Sequence, residues 1–228
     1  MESDKKLFYE RFAGEFDKAT YAYDRRKRLK IIFENLLGQD TLKDKLLLDV
    51  GCGTGDFSKR AHELGARVIS LDLGVNLLYR TKQKCPQAML SVGDLLSLPF
   101  PKEKFDVIVC TEVIEHTSSA FQCLYELHRV LKKRGIVVIT MPNKFWYFSI
   151  IIAQKLRLRP YEGYENWLTP GELKRGLQEV DFEIKEFFGF NIFPFIFRET
   201  YKIIDFFDTI GRFSYPIMVN LAAKAVKR

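Results

Sequence analysis

The sequence predicts an α/β fold, a doubly wound and mostly parallel sheet, and three observations carry that prediction. From residue 45 onward, short apolar runs alternate with helix-length segments. The runs are apolar on both faces, as strands buried between two layers of helices must be. The first run ends in three glycines at alternate positions and leads straight into a helix.

Taken in order, residues 5–37 read as helical, closing with the amphipathic stretch from Arg28 to Leu37 and stopped by Gly38. Strands follow over Leu46–Val50, Arg67–Leu71, Ala88–Val92, Phe105–Cys110 and Ile136–Met141. Helices over Phe57–Leu64, Val75–Lys84 and Ser118–Leu131 separate them. In such a sheet a ligand binds at the carboxyl ends of the strands. Past Met141 the regularity breaks. Residues 143–168 are aromatic and basic, and 169–180 form a helix opened by a Thr169 cap with Pro170 in its first turn. Phe182–Phe188 is a strand, 189–215 an aromatic-rich insertion, and Ile217–Lys227 a last strand.

The chain has 228 residues, 47% hydrophobic and 29% charged, which suits one domain with a real core and argues against disorder. Its four cysteines, Cys52, Cys85, Cys110 and Cys123, form no CxxC pair or zinc-like spacing and read as small buried hydrophobes. The opening MESDKKLFYE is charged and has no apolar stretch of a secretory leader. The longest apolar run, residues 145–153 broken by Ser149, is too short to span a bilayer. The expected compartment is a reducing cytoplasm, at the inner face of a membrane. A net charge of +7 could serve nucleic acid, an anionic membrane or neither. The basic clusters Arg25–Arg28, Lys132–Arg134 and Lys155, Arg157, Arg159 read, one by one, as solvated helix faces.

The segment from Leu46 to Asp56 carries the functional argument. Gly51, Gly53 and Gly55 follow a buried strand, and glycine lets a ligand approach bare backbone. A dinucleotide loop is a poor fit: GxGxxG counted from Gly51 meets Asp56, and counted from Gly53 it ends at Ser58 without the middle match. A carboxylate at a helix N-terminus repels pyrophosphate, so a ligand with a sulfonium and an ammonium suits the loop better. Asp72 ends the second strand, where an acidic residue takes ribose hydroxyls. Asp94 follows the third strand and can accept from an adenine amino group, with the Leu95 amide beside the ring. Each aspartate alone could be a cap or a turn residue. Signals at the ends of three successive strands make coincidence a poor account.

The motifs DVGCGTG (49–55), SLDLG (70–74), VGDLLSLPFPKEKFDVIVC (92–110), TEVIEH (111–116) and LHRVLKKRGIVVITMPN (127–143) together resemble the class I S-adenosylmethionine-dependent methyltransferases. The likeness is to the group that includes the ubiquinone and menaquinone biosynthesis enzymes, and it returns in WLTPGELKRGLQEVDFEI (167–184). The resemblance implies a Rossmann-like sheet of seven strands with the last antiparallel. It implies one unit: an N-terminal helical cap (1–44), a cofactor-binding core (45–142) and acceptor-side insertions (143–168 and 189–215). It places Asp49 at the methionine end of S-adenosylmethionine, bounds the cofactor with Gly51, Gly53 and Gly55, and gives ribose to Asp72 and adenine to Asp94. Leu73 and Thr111, in the same motifs, join Leu95 as expected contacts, and Arg28 reaches the cofactor carboxylate. S-adenosylhomocysteine would be the product.

A sulfonium methyl is already activated, so the protein mainly aligns an acceptor in line with the S–CH₃ bond. If the acceptor must lose a proton, the candidates are His116 and Glu112, after the fourth strand. His62 and His128 lie on helices and read as structural. A minority reading gives Glu112, Glu115 and His116 a divalent metal, which they match by position in the resembling O-methyltransferases. Tyr164 stands where many relatives carry a histidine.

A nucleic-acid methyltransferase lacks support: Thr111–Ile114 stands where base-modifying enzymes carry Asn/Asp-Pro-Pro-aromatic, and there is no Pro-Cys nucleophile. A non-catalytic cofactor-binding module would show a lost glycine or Asp72, and both are intact. A small-molecule enzyme acting on a sugar is the serious rival to one acting, at oxygen, on a quinone- or lipid-like acceptor. The two insertions favour the apolar acceptor, since Phe145–Phe148, Phe190, Phe193, Phe195, Phe197, Tyr201, Phe206, Phe207, Phe213 and Tyr215 crowd into them. Lys155, Arg157, Arg159, Arg198 and Lys202 lie among them, and aromatics interleaved with cations suit an anionic membrane interface. The expectation is a lid whose aromatics line the acceptor pocket. The oligomeric state is not legible.

Overall fold

The computed structural model describes residues 22–38, 41–155, 165–193, 201–208 and 211–228. Helix α1 (Ala22–Lys30) passes into a π-helical turn (Ile31–Leu36) and stops at Gly38, whose φ of 75° is left-handed. There follow β1 (Leu46–Val50), α2 (Asp56–Glu63), β2 (Arg67–Asp72), α3 (Val75–Lys84), β3 (Met89–Val92) and β4 (Phe105–Thr111). A 3₁₀ turn (Ile114–His116) leads to α4 (Ala120–Val130) and β5 (Leu131–Pro142). After a 3₁₀ turn (Lys144–Trp146) come α5 (Tyr147–Lys155), α6 (Pro170–Glu179), β6 (Phe182–Phe190), α7 (Tyr201–Asp208) and α8 (Gly211–Ser214). A last 3₁₀ turn (Tyr215–Ile217) precedes β7 (Asn220–Lys227).

The seven strands form one sheet in the order β3-β2-β1-β4-β5-β7-β6. The first five pair in parallel, and β7 runs antiparallel to both β5 and β6, as expected of the last strand. The order reverses beside β1, so the crevice at the carboxyl ends of β1 and β4 is the natural ligand site. Because β7 is reversed, Asn220 at its start pairs with both Pro142 and Phe190, which brings the ends of β5 and β6 to the same edge.

Strand alternation sends the apolar side chains to two cores. Leu48, Val50, Ile69, Ile108 and Ile139 pack under α4 and α6, while Leu47, Val68, Val107 and Val138 pack under the π-turn and α2. The runs are apolar throughout because both faces are covered. Helix α6 is held by the Thr169 cap and more: Thr169 Oγ1 accepts from the Glu172 amide (3.2 Å), and Glu172 accepts from the Thr169 amide (2.7 Å). That is a capping box.

Some boundaries move. β5 begins at Leu131, paired with Phe105 ahead of a register shift, and β7 begins at Asn220 because Tyr215–Ile217 coils instead. Phe190, expected in the insertion, ends β6 and is buried. Of the helical reading of 5–37, residues 5–21 lie outside the described residues, as do Arg157, Arg159, Tyr164, Phe195, Phe197 and Arg198.

Candidate active site

From β1 the chain turns through Gly51 (φ 65°) and Gly53 (φ 53°) into α2, with Gly55 (φ 86°) as the helix cap. These left-handed angles favour glycine. At Gly51 space demands it too, since a Cβ would lie 2.3 Å from Val113 Cγ2. A Cβ on Gly55 would meet Thr81 at 2.8 Å, so that glycine lets α2 close against α3. The Gly53 amide donates to Asp72 Oδ2 (3.0 Å), and the Gly74 amide donates to Asp72 Oδ1 (2.9 Å). Asp72 therefore clamps the glycine loop as well as facing the ligand space.

A cavity of about 270 Å³ opens where these strand ends meet. Arg28, Gly51, Gly53, Asp72, Leu73, Asp94, Leu95 and Thr111 line it, as do Glu112 and His116. Two residues expected at the cofactor do not. Asp49 is buried behind the loop, because alternation along β1 points it at α2, where its carboxylate accepts from Ser58 Oγ (2.5 Å). Burial, opposed by that hydrogen bond and reinforced by Asp72, pushes its carboxyl up to about 7. Gly55 serves the helix contact just described. Asp94 turns its own loop by accepting from the Leu96 amide (2.9 Å) while its side borders the cavity.

The wall also holds residues the sequence reading did not assign, among them Arg25, Thr54, Asp56 and Phe57. Asp56, at the start of α2, pairs with Arg25 (3.4 Å) and Lys84 (3.0 Å). The cluster Arg25–Arg28 is thus not a solvated face: Lys27 reaches Asp208, and Arg28 pairs with Asp24 and, at 3.6 Å, Glu112. Only Arg26 of the four is exposed. Burial alone would lower the Arg28 pKa, but Asp24, Glu112 and Glu115 outweigh it and hold the charge.

Glu112 sits just past β4 with a left-handed φ of 53°, an unusual conformation for this residue type. Burial raises its pKa against the lowering pull of Arg28, and Asn220 Nδ2 donates to its Oε2 (3.3 Å). Glu115 lies deeper and off the cavity wall; burial and then Glu112 push its carboxyl well up. Among the described residues no three His, Cys, Asp or Glu side chains converge to hold a metal, so the ligand set of Glu112, Glu115 and His116 does not assemble.

Part of the expected aromatic wall, Phe195 and Phe197, lies outside the described residues. Among the described residues no aromatic of either insertion lines this cavity. Phe145, Phe148, Phe193, Phe206 and Phe213 are exposed instead. The insertions do meet: Trp146 Nε1 donates to the Ile217 carbonyl (2.9 Å), tying the segment after β5 to the one before β7.

These groups fit S-adenosylmethionine. Asp72 and Asp94 offer carboxylates for hydroxyl and amino donors, and Leu73, Leu77 and Leu95 give an apolar bed for a ring. Arg28 borders the cavity, and its guanidinium charge is suited to a carboxylate.

Comparison with known proteins agrees. Residues 48–139 match a family model described as a methyltransferase domain. The ubiquinone biosynthesis O-methyltransferase of Glaesserella parasuis is 32% identical over 166 residues, 66% of this chain and 70% of that protein. The malonyl-[acyl-carrier protein] O-methyltransferase of Serratia marcescens is 32% identical over 130 residues, 56% of this chain and 51% of that one. The chain thus spans between half and two thirds or a little more of these relatives' lengths. A magnesium protoporphyrin IX methyltransferase from Synechocystis, solved with bound S-adenosylhomocysteine, shares the fold with a TM-score of 0.65 at 17% identity, covering 90% of this chain and 84% of that one.

Proposed function

Because the chain belongs to the class I S-adenosylmethionine-dependent methyltransferases, we propose that it methylates a small apolar acceptor, quinone- or lipid-like, at oxygen. The observation that carries this reading is the cavity at the β1–β4 strand ends, whose wall brings together Asp72, Asp94, Arg28, His116 and Glu112. The bound cofactor supplies a methyl group already activated by its sulfonium. Gly51 and Gly53 let it approach the backbone, Asp72 holds ribose, Asp94 and Leu95 hold adenine, and Arg28 holds the carboxylate. His116 takes the proton of the acceptor hydroxyl, and Glu112 orients the acceptor beside it. The oxygen assignment is supported by two relatives whose names state O-methyl transfer.

The apolar acceptor is supported by the exposed side chains of the two insertions. Phe145, Phe148, Ile151 and Ile152 flank Lys144 and Lys155, and Ile217 joins them through the Trp146 bond. No helix among the described residues is long and apolar enough to cross a membrane, so contact with a bilayer would be peripheral.

The test is methyl transfer to a panel of ortho-hydroxyquinols, fatty-acyl carboxylates and sugars, with His116→Ala beside the native protein. Transfer to an apolar hydroxyl, lowered roughly a hundredfold in His116→Ala with cofactor affinity unchanged, supports the reading. Transfer to sugars alone gives the acceptor to the rival. Full activity of His116→Ala makes catalysis alignment without that base.

A further inference from the structure

The buried polar groups between α1 and the strand ends form one connected set, and Asn191 is its node. Asn191 follows β6 with a left-handed φ of 59° and is buried. Its Nδ2 donates to Asp24 Oδ1 on α1 (3.2 Å) and to Asn220 Oδ1 on β7 (3.1 Å). Asp24 can only accept there when ionised, which fixes the orientation of the amide. With its oxygen occupied, Asn220 turns its own Nδ2 to Glu112. Asp24 in turn pairs with Arg28. One amide thus sets the partners of both Arg28 and Glu112, which themselves pair at 3.6 Å on the cavity wall.

We propose that Asn191 is a positioning residue for methyl transfer, setting Arg28 through Asp24 and Glu112 through Asn220. The reading rests on the cofactor site proposed above. The fold makes this geometry available because the reversed β7 brings Asn220 to the edge where β4, β5 and β6 end. A second link reinforces it: the Asn191 amide donates to Asp208 Oδ1 (2.9 Å), and Asp208 pairs with Lys27 on α1. Tyr23 of α1 donates to Asp205 (2.5 Å) beside it. The N-terminal helix and α7, far apart in sequence, are therefore joined around Asn191. Among the described residues the charged groups about it are Asp24, Lys27 and Arg28 on α1, Asp205 and Asp208 on α7, and Glu112 past β4.

Two substitutions separate positioning from mere support. Asn191→Gly keeps a backbone at ease with positive φ while removing the amide. Asn191→Asp keeps the shape but sets a second carboxylate against Asp24. Affinity for S-adenosylhomocysteine is measured by calorimetry between pH 5 and 8, with melting as a check on folding. The expected result for Asn191→Gly is a loss of roughly tenfold in affinity at every pH, as when buried acceptors lose their donor. For Asn191→Asp the loss is larger at pH 8 and shrinks toward pH 5 relative to the native protein, as protonation restores a donor. A merely structural role would not produce that recovery. Native affinity in a folded Asn191→Gly overturns the proposal. Should Asn191→Gly fail to fold, Asp24→Asn replaces it, since it keeps the shape and frees Arg28; unchanged affinity there overturns it equally. If the native protein binds neither S-adenosylhomocysteine nor S-adenosylmethionine, the cofactor reading fails instead.

Discussion

At Asp72 one carboxylate is shared between the backbone and the ligand space, so its removal acts twice. It accepts from the Gly53 and Gly74 amides and faces the cavity. Asp72→Ala should loosen the glycine loop and lose the ribose contact, each charge-assisted bond contributing about 1.5–3 kcal/mol. Cofactor affinity should fall at least tenfold by calorimetry, and an unchanged value would overturn the ribose assignment. Asp49 is the opposite case, a buried aspartate that does not line the cavity. Its pKa near 7 lies above that of the unfolded chain, so the native state holds its proton more tightly. Its stabilising contribution is full below the ordinary aspartate range and is lost as pH rises toward 7, by about 1.4 kcal/mol per unit at most. Asp49→Asn should then flatten the fall in urea midpoint between pH 5 and 8; an identical fall in both proteins would show that Asp49 is ionised throughout. The motif made the two aspartates look alike because spacing does not say to which side a strand-end side chain turns. Asn191 and Asn220 carried no signal at all, since a buried amide node is made by elements that meet only in the fold.

Elements were legible where periodicity had a physical cause. β1, β4 and β5 lie in the middle of the sheet with both faces covered, so unbroken apolar runs named them. β3 reads the same way yet is an edge strand, with Met89, Leu90 and Val92 exposed; an apolar run does not tell an edge from a centre. The helix at 169–180 was legible from its Thr-Pro opening, because capping is local chemistry. The insertions were not. Phe190 fills the core while Phe193, three residues on, is exposed, and no period in that segment separates them. The same limit hid the backbone turn at Glu112, though not the residue itself: a left-handed backbone is usually announced by glycine or asparagine, and here a glutamate adopts it.

On the scale of the whole molecule, charge and exposed apolar surface combine. The chain carries a net +7, and Phe206 and Phe213 are 69% and 89% exposed, with Phe145, Phe148, Ile151 and Ile217 also open to solvent. Isolated exposed apolar residues need no explanation, but several large ones on two segments joined by Trp146 are unusual for a monomer's surface. Lys144 and Lys155 bracket the first segment, and each cation near an anionic bilayer contributes about 1 kcal/mol, falling off within a Debye length of about 8 Å at physiological salt. The two contributions are separable. Raising salt should weaken binding to vesicles containing phosphatidylglycerol by screening the cations, while Phe148→Ser with Phe213→Ser should weaken it at every salt concentration by removing insertion. Sedimentation with such vesicles at low salt, at high salt and with neutral lipid distinguishes these outcomes. If the native protein stays in the supernatant with anionic vesicles at low salt, the membrane reading is lost. These aromatics would then have to cover the acceptor itself, and the same double substitution should raise the acceptor KM in solution.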